Sequence, residues 1–310
     1  MSKYRVLWGC TDNYVDVTSV LFQKYPGEFV IPLSDIARVM YFGDHIFGRV
    51  KNIKLVDVYD NTKFFYLLDK QDLPITTYED GVTIGMNNYR CPSRVLDNIQ
   101  KSLYFVCDVP NNNHNIYFEY PEQWLAVQYL KPENKVLEIG ANVGRNSLII
   151  SSILNDDRNF VSLETDPVIY NVLCKNREIN NKRFHVENRA LSLSPLIQKD
   201  WSCVPYVEGT LIPFGYTRVN TITLSELFMK YNIQFDTLVL DCEGAFYYIL
   251  VDFPNILDNI KTIIVENDYT NENHHKYVEN VILSKGFRSV FNYGGGTYYQ
   301  MNCFYQVFIR

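Results

Sequence analysis

The C-terminal two thirds of the chain alternates between two hydrophobic periods. Short apolar runs, among them Val136-Leu137-Glu138-Ile139, Phe160-Val161-Ser162-Leu163, Asp236-Thr237-Leu238-Val239-Leu240 and Ile263-Ile264-Val265-Glu266, are separated by stretches whose apolar residues recur every three or four positions. The first pattern predicts strands covered on both faces, and the second predicts the helices that cover them. The expected order is helix 121–130, strand 136–139, helix 144–154, strand 160–164, helix 168–180 and a β-type stretch 184–187, then helix 223–231, strands 236–240 and 261–266, and helix 274–285. Two closing strands, 287–292 and 302–309, have only residues 293–301 between them, too few for a parallel crossover. They should pair as an antiparallel hairpin with Gly294-Gly295-Gly296 at its tip. The fold class is α/β, a mainly parallel sheet covered on both faces.

Upstream the pattern changes. Residues 4–110 carry β-type runs such as Tyr4-Arg5-Val6-Leu7-Trp8, Phe29-Val30-Ile31 and Ile53-Lys54-Leu55-Val56-Asp57-Val58, broken by Gly, Pro, Asn and Asp. This predicts a small β-rich domain over residues 1–110, serving either as a structural or oligomerising appendage or in glycan binding or substrate docking. Pro110-Asn111-Asn112-Asn113-His114-Asn115 has no packing face and reads as a linker, so 111–120 is an entry segment and 121–310 the second domain.

Composition narrows the functional classes. The chain has 310 residues, 47% of them hydrophobic, enough for two modest cores, and a net charge of −6 without a block of Lys or Arg. That balance argues against nucleic acid or an anionic membrane surface as partner. Seven scattered cysteines without a Cys-x-x-Cys pair favour reduced thiols over disulfides or structural zinc. No apolar run approaches the roughly 20 residues that span a bilayer, and Met1 to Cys10 lacks a signal-peptide pattern. A cytoplasmic location is expected; nothing in the pattern fixes the oligomeric state.

Candidate chemistry gathers where predicted strands end. Val136 to Ser147 reads as strand, glycine turn and helix, with Gly140 and Gly144 letting the backbone lie against a ligand and helix-start amides point at it. The spacing Gly-Ala-Asn-Val-Gly is not the Gly-x-Gly-x-x-Gly that admits a pyrophosphate. Glu138 ahead of the first glycine suits a cationic ligand without phosphate, such as the amino-acid end of S-adenosylmethionine, and Glu164 stands where a second strand's acid takes ribose hydroxyls. Asp241 and Glu243 end another strand and, two residues apart, would face the same way on extended backbone. They are candidates to hold a hydroxyl or take its proton, with capping of the next helix as the alternative. His274 and His275 follow the polar loop after Glu266 and are further candidate bases, His275 being retained as catalytic. Oxygen-only ligation of a divalent cation by Asp241, Glu243 and Glu266 or Asp268 is open, but no metal is assigned.

Residues 117–310 resemble the FkbM family of S-adenosylmethionine-dependent methyltransferases. The resemblance is carried by Val-Leu-Glu-Ile-Gly-Ala-Asn-Val-Gly at 136–144, Glu164 to Pro167 with Leu173, Asn176 and Asn180, Asn188-Arg189-Ala190-Leu191-Ser192, Thr223-Leu224-Ser225-Glu226-Leu227, Asp241-x-Glu243-Gly244 and Ile264-Val265-Glu266. It implies a Rossmann-like methyltransferase sheet, S-adenosylmethionine as cofactor and O-methylation of a sugar, sugar nucleotide or glycan hydroxyl by in-line displacement. It also implies Glu138, Gly140, Asn142, Gly144, Glu164, Asn188 and Asp241 at the cofactor, and Asp241, Glu243 and His275 at the reacting hydroxyl. Two positions depart from the family's usual pattern, Val239 where a lysine is common and Phe246 where an acid is. They keep a non-catalytic binding or assembly protein on this fold open as an alternative. An NAD-linked oxidoreductase is a more distant one.

Overall fold

The structure, a computed structural model, describes residues 3–32, 35–46, 49–67, 73–84, 92–109, 112–293 and 303–310. The chain divides into two compact units, Met1–Asn98 and Ile99–Arg310.

In the first unit the order is β1 (Tyr4–Cys10), β2 (Asn13–Asp16), α1 (Thr18–Lys24), β3 (Gly27–Ile31), α2 (Asp35–Phe42), β4 (Asn52–Asp57), β5 (Phe64–Leu67), β6 (Leu73–Tyr78), β7 (Gly81–Ile84) and the start of α3 (Pro92–Ser102). The strands form one antiparallel sheet, β3-β6-β7-β1-β4-β5, with β2 hung on β1. Val6, Trp8, Ile31, Ile53, Leu55 and Ile75 fill its core. Asp44 pairs with the buried ammonium of Lys51 at 2.7 Å, which the carbonyls of Ile46 and Arg49 also accept from. The expected β character holds for the sheet. Helices α1 and α2 are additions, because their apolar runs, such as Val20-Leu21-Phe22, are as short as a strand's.

The second unit continues with α4 (Tyr120–Tyr129), β8 (Val136–Ile139), α5 (Arg145–Ile153), β9 (Phe160–Leu163), α6 (Pro167–Ile179), β10 (His185–Glu187), β11 (Ala190–Leu191), β12 (Leu196–Lys199), β13 (Ser202–Pro205), β14 (Thr217–Val219) and β15 (Thr221–Ile222). It ends with α7 (Leu224–Tyr231), β16 (Thr237–Leu240), α8 (Phe246–Asp252), β17 (Thr262–Glu266), α9 (Glu272–Ser284), β18 (Arg288–Tyr293) and β19 (Tyr305–Ile309). The main sheet runs β10-β9-β8-β16-β17-β19-β18. It is parallel from β10 to β17, and β19 then pairs antiparallel with both β17 and β18. This is the expected doubly wound Rossmann-like α/β sheet with its antiparallel closing pair. The Gly294-Gly295-Gly296 tip lies outside the described residues.

Alternation along the strands assigns the two faces. Leu137, Ile139, Leu238, Leu240, Ile263 and Val265 share a core with Leu227 of α7, Ile249 and Leu250 of α8, and Val278 and Ile282 of α9. Residues of opposite parity, Glu138, Ser162, Val239 and Glu266, therefore take the other face, where α4 packs against α5 and β17.

The division between units falls at Asn98, ahead of the position near residue 110 read from the polar run. The side chain of Asn176 accepts from the amide of Val106 and donates to its carbonyl, and Asn180 does the same for Tyr104. Two asparagines of α6 thus fasten residues 104–106 to the second unit. The supposed linker is held as well. The guanidinium of Arg145 donates to the carbonyls of Asn113 and Asn115 and to the Asn112 side chain.

Candidate functional site

The glycine turn between β8 and α5 is built tightly. Gly140 has φ +91°, and a Cβ there would stand 1.6 Å from the Asp241 carbonyl oxygen. Gly144 has φ +90°, and its Cβ would meet Leu173 at 2.5 Å. Both positions require glycine, the first because two strand ends touch and the second because α6 packs on the turn. The amides of the turn all have partners inside the chain. Those of Gly140 and Ala141 donate to the Leu163 carbonyl, Asn142 to Glu164 Oε2, Val143 to the Asn142 side chain and Gly144 to the Ala141 carbonyl. The amides of Gly140, Ala141 and Asn142 thus hold the turn against the end of β9, and those of Val143 and Gly144 bond within it. Residues 140–144 themselves thus leave no amide donor for a phosphate.

Glu138 is also placed differently from expectation. Its neighbours Leu137 and Ile139 occupy the α7–α9 core, so its side chain must enter the opposite face, where α5 covers it to 2% exposure. There its Oε2 accepts from Ser147 at 2.5 Å and Ser162 at 2.6 Å. Burial pushes its carboxyl up to about 7 against the pull of those two hydroxyls. Glu138 ties α5 to the sheet through these two serines.

Above the carboxyl ends of the strands lies a cavity of about 1390 Å³, larger than the roughly 300–1,000 Å³ of a single small-ligand site. Of the residues expected at a cofactor, Gly140, Asn142, Glu164 and Asp241 line it, whereas Glu138, Gly144 and Asn188 do not. Asn188 donates to the carbonyls of Glu164 and Thr165 and so shapes the β9 end from behind. Glu164 is held by the amides of Asn142 (2.9 Å) and Asp166 (2.8 Å). Burial raises its carboxyl to about 7, opposed by those amides.

Asp241 and Glu243 both line the cavity, though not as extended neighbours. Strand β16 ends at Leu240, and Glu243 takes a left-handed φ of +53° in the turn that follows. Asp241 is raised well above its ordinary value, by burial first and then by the charge of Glu266. Glu243 is raised to about 8 by burial and a side-chain contact with Asp268. The two histidines lie in different surroundings. His275 is buried on the α9 face that also carries Val278 and Ile282, beside Tyr269 and off the cavity wall, while His274 lines it with its ring stacked on Tyr247 at 3.7 Å. Successive helical residues diverge by about 100°, so only one of such a pair can face the site.

Other lining groups went unread in the sequence. Glu119 pairs with the buried Arg145 at 2.9 Å. Glu122 sits in the first turn of α4, where an acid ordinarily reads as a helix-dipole partner, yet it lies with Asp241 and Glu266 so that one oxygen of each is within 4.8 Å of the others. Trp201 and Ser202 to Pro205 come from the small sheet β13-β12-β14. Among the described residues, Glu119, Glu122, Glu164, Asp241, Glu243, Asp252 and Glu266 line the cavity against one guanidinium, that of Arg189.

No family model and no curated protein matches the chain. Among solved structures it is similar to a protein in the NADB-Rossmann superfamily from Streptococcus agalactiae, at 13% identity and TM-score 0.38, covering 61% of this chain and 67% of that one. It is similar to ribosomal protein L11 methylase from Lactobacillus delbrueckii subsp. bulgaricus, at 10% identity and TM-score 0.39, over 62% and 78% of the two chains. The precorrin-6y C5,15-methyltransferase of Geobacter metallireducens gives 11% identity and TM-score 0.36, over 68% and 95%.

Proposed function

We propose that the second unit is an S-adenosylmethionine-dependent O-methyltransferase acting on a hydroxyl of a small polyhydroxylated acceptor such as a sugar. The observation that carries this reading is the pairing of a donor-free glycine turn with an acid-lined cavity. The amides of residues 140–144 are all engaged, so the turn itself offers a pyrophosphate no donor, and seven carboxyl groups facing one guanidinium among the described residues offer oxygen acceptors to a cation and little to a phosphate. A sulfonium ligand meets both conditions and a nicotinamide dinucleotide meets neither.

When bound, S-adenosylmethionine supplies a methyl group on a cationic sulfonium. Glu164, fixed by two amides, would take the ribose hydroxyls, and Gly140 and Asn142 form the floor beside it. Asp241 orients the acceptor hydroxyl and takes its proton, with Glu243 and His274 on the same wall. A carboxyl raised by its surroundings is a stronger base than an ordinary aspartate. Positioning supplies much of the rest, because near-attack geometry is worth about 7–11 kcal/mol of barrier.

The two departures from the family pattern do not strip the cavity of acid. Phe246 and Val239 are core residues at 1% and 4% exposure, while seven carboxylates remain on the wall. This supports an enzyme over a binding protein on the same fold. Isothermal titration with S-adenosylmethionine, S-adenosylhomocysteine and NAD, on the full chain and on Glu164→Ala, tests the cofactor. Binding of the first two that the variant weakens, without NAD binding, is expected, followed by labelled-methyl transfer to sugars. A folded protein that binds neither sulfur compound would overturn the reading, and transfer to RNA in place of sugars would overturn the acceptor.

A further inference from the structure

We infer that Glu122, Asp241 and Glu266 form a binding site for a divalent cation on the cavity wall. They converge from three elements, the first turn of α4 and the carboxyl ends of β16 and β17, and each brings one oxygen within 4.8 Å of the other two. Hard cations such as Ca²⁺ bind carboxylate oxygens at about 2.3–2.6 Å, so ligands on opposite sides of one ion stand at most about 5 Å apart. The three oxygens fit around a common centre. The cavity leaves the remaining positions to water or to an acceptor's oxygens.

Independent support comes from how this unit treats its other buried acids. Glu138 accepts from two serine hydroxyls, Glu164 from two amides, Glu119 from Arg145, and Glu187 from Lys230 and Tyr231. Glu122, at 6% exposure, is buried like Glu138, Glu164 and Glu187, and it lines the cavity. Among the described residues no amide, alcohol or cationic group donates to the carboxyls of Glu122 or Asp241, and the side-chain partner of Glu122 is another acid, Glu266. Glu266 has Tyr305 as a further side-chain partner, one donor for three carboxyl groups. Val239, the residue of matching parity on β16, brings no positive charge. A buried carboxylate without a donor or a cation is costly, and a divalent ion supplies both charge and coordination to all three at once.

The site does not depend on the methyl-donor assignment, because the ion is held by protein oxygens alone. If both hold, the ion binds the acceptor hydroxyl and lowers its pKa, with Asp241 acting through it.

The test uses the full chain, stripped with a chelator and titrated with Mn²⁺ alone, without S-adenosylmethionine, following free Mn²⁺ by electron paramagnetic resonance. One site per chain is expected. Glu122→Gln and Asp241→Asn should each weaken it by about tenfold or more, whereas Glu187→Gln, an acid with its own donors, should not. Should either ligand variant fail to fold, Tb³⁺ luminescence keeps the test decisive: emission sensitised by Tyr305 is expected in the wild type and should drop in Tyr305→Phe. Absence of Mn²⁺ binding to folded wild type, or binding unchanged in both ligand variants, would overturn the inference. Binding of S-adenosylmethionine without Mn²⁺ binding would sink the metal site alone and leave the cofactor reading standing.

Discussion

Replacing Glu138 by glutamine should change how stability depends on pH. Burial lifts the Glu138 carboxyl from its ordinary 4.5 to about 7, even though the hydroxyls of Ser147 and Ser162 pull it down. A rise of about 2.5 at about 1.4 kcal/mol for each corresponds to roughly 3 kcal/mol. Between pH 4.5 and 7 the native state keeps a proton on this group that the unfolded chain has released, so stability falls as pH rises through that window and levels off above it. In Glu138→Gln the side-chain amide keeps a carbonyl for the two serine hydroxyls, fills nearly the same volume and cannot ionise. Wild type and variant should therefore be similar near pH 4.5, and the variant should be more stable by roughly 3 kcal/mol at pH 8. The other raised carboxyls titrate in both proteins and cancel in the difference. Urea unfolding of both proteins at half-unit steps from pH 4.5 to 8, followed by circular dichroism, measures it. Parallel curves across that range would refute the argument and show that Glu138 is solvated in the native state.

Gly140→Ala drives a Cβ to 1.6 Å from the Asp241 carbonyl at a φ of +91°, and the strand ends must separate. A loss of about 3 kcal/mol or more is expected, seen as a melting point lower by about 6–12 °C or as insoluble protein. Arg145→Met removes the buried cationic partner of Glu119 and frees the carbonyls of Asn113 and Asn115. It should cost about 3–5 kcal/mol and make residues 112–119 more susceptible to limited proteolysis than in the wild type. Thr223→Ala removes one half of the capping box in which Thr223 and Glu226 bond each other's amides, lowering stability by about 1 kcal/mol without altering ligand binding by titration calorimetry.

Much of the second unit was legible because its strands are short, buried on both faces and bounded by Gly, Asn or Asp. Residues 136–139 and 160–163 could be placed almost to the residue from that contrast. Strands β12 to β14 were not, since few of their residues are buried and no apolar face announces them. Helix α8 is absent from the expected order for a related reason, although a helix after Glu243 is implied by the capping alternative. It is seven residues long, and Tyr247 and Tyr248 beside Phe246 look as much like strand as helix. In the site, Glu164 and Asp241 were visible as acids at strand ends. Glu122 was hidden, because only the tertiary packing of α4 on β17 turns a first-turn glutamate towards the sheet edge.

Glu138 and Glu266 show how the same residue on the same face of one sheet comes to different ends. Both have the parity opposite to the α7–α9 core, so both project towards α4 and α5. Glu138 precedes the last residue of β8, and α5 lies over it with Ser147 in reach, which fixes it as structure. Glu266 is the last residue of β17, where β19 supplies Tyr305 in register and α4 brings Glu122 to the cavity wall. One position along a strand thus decides whether a carboxylate is sealed by donors or left facing a cavity. Parity read from sequence assigns the face, and distance from the strand's carboxyl end assigns the role.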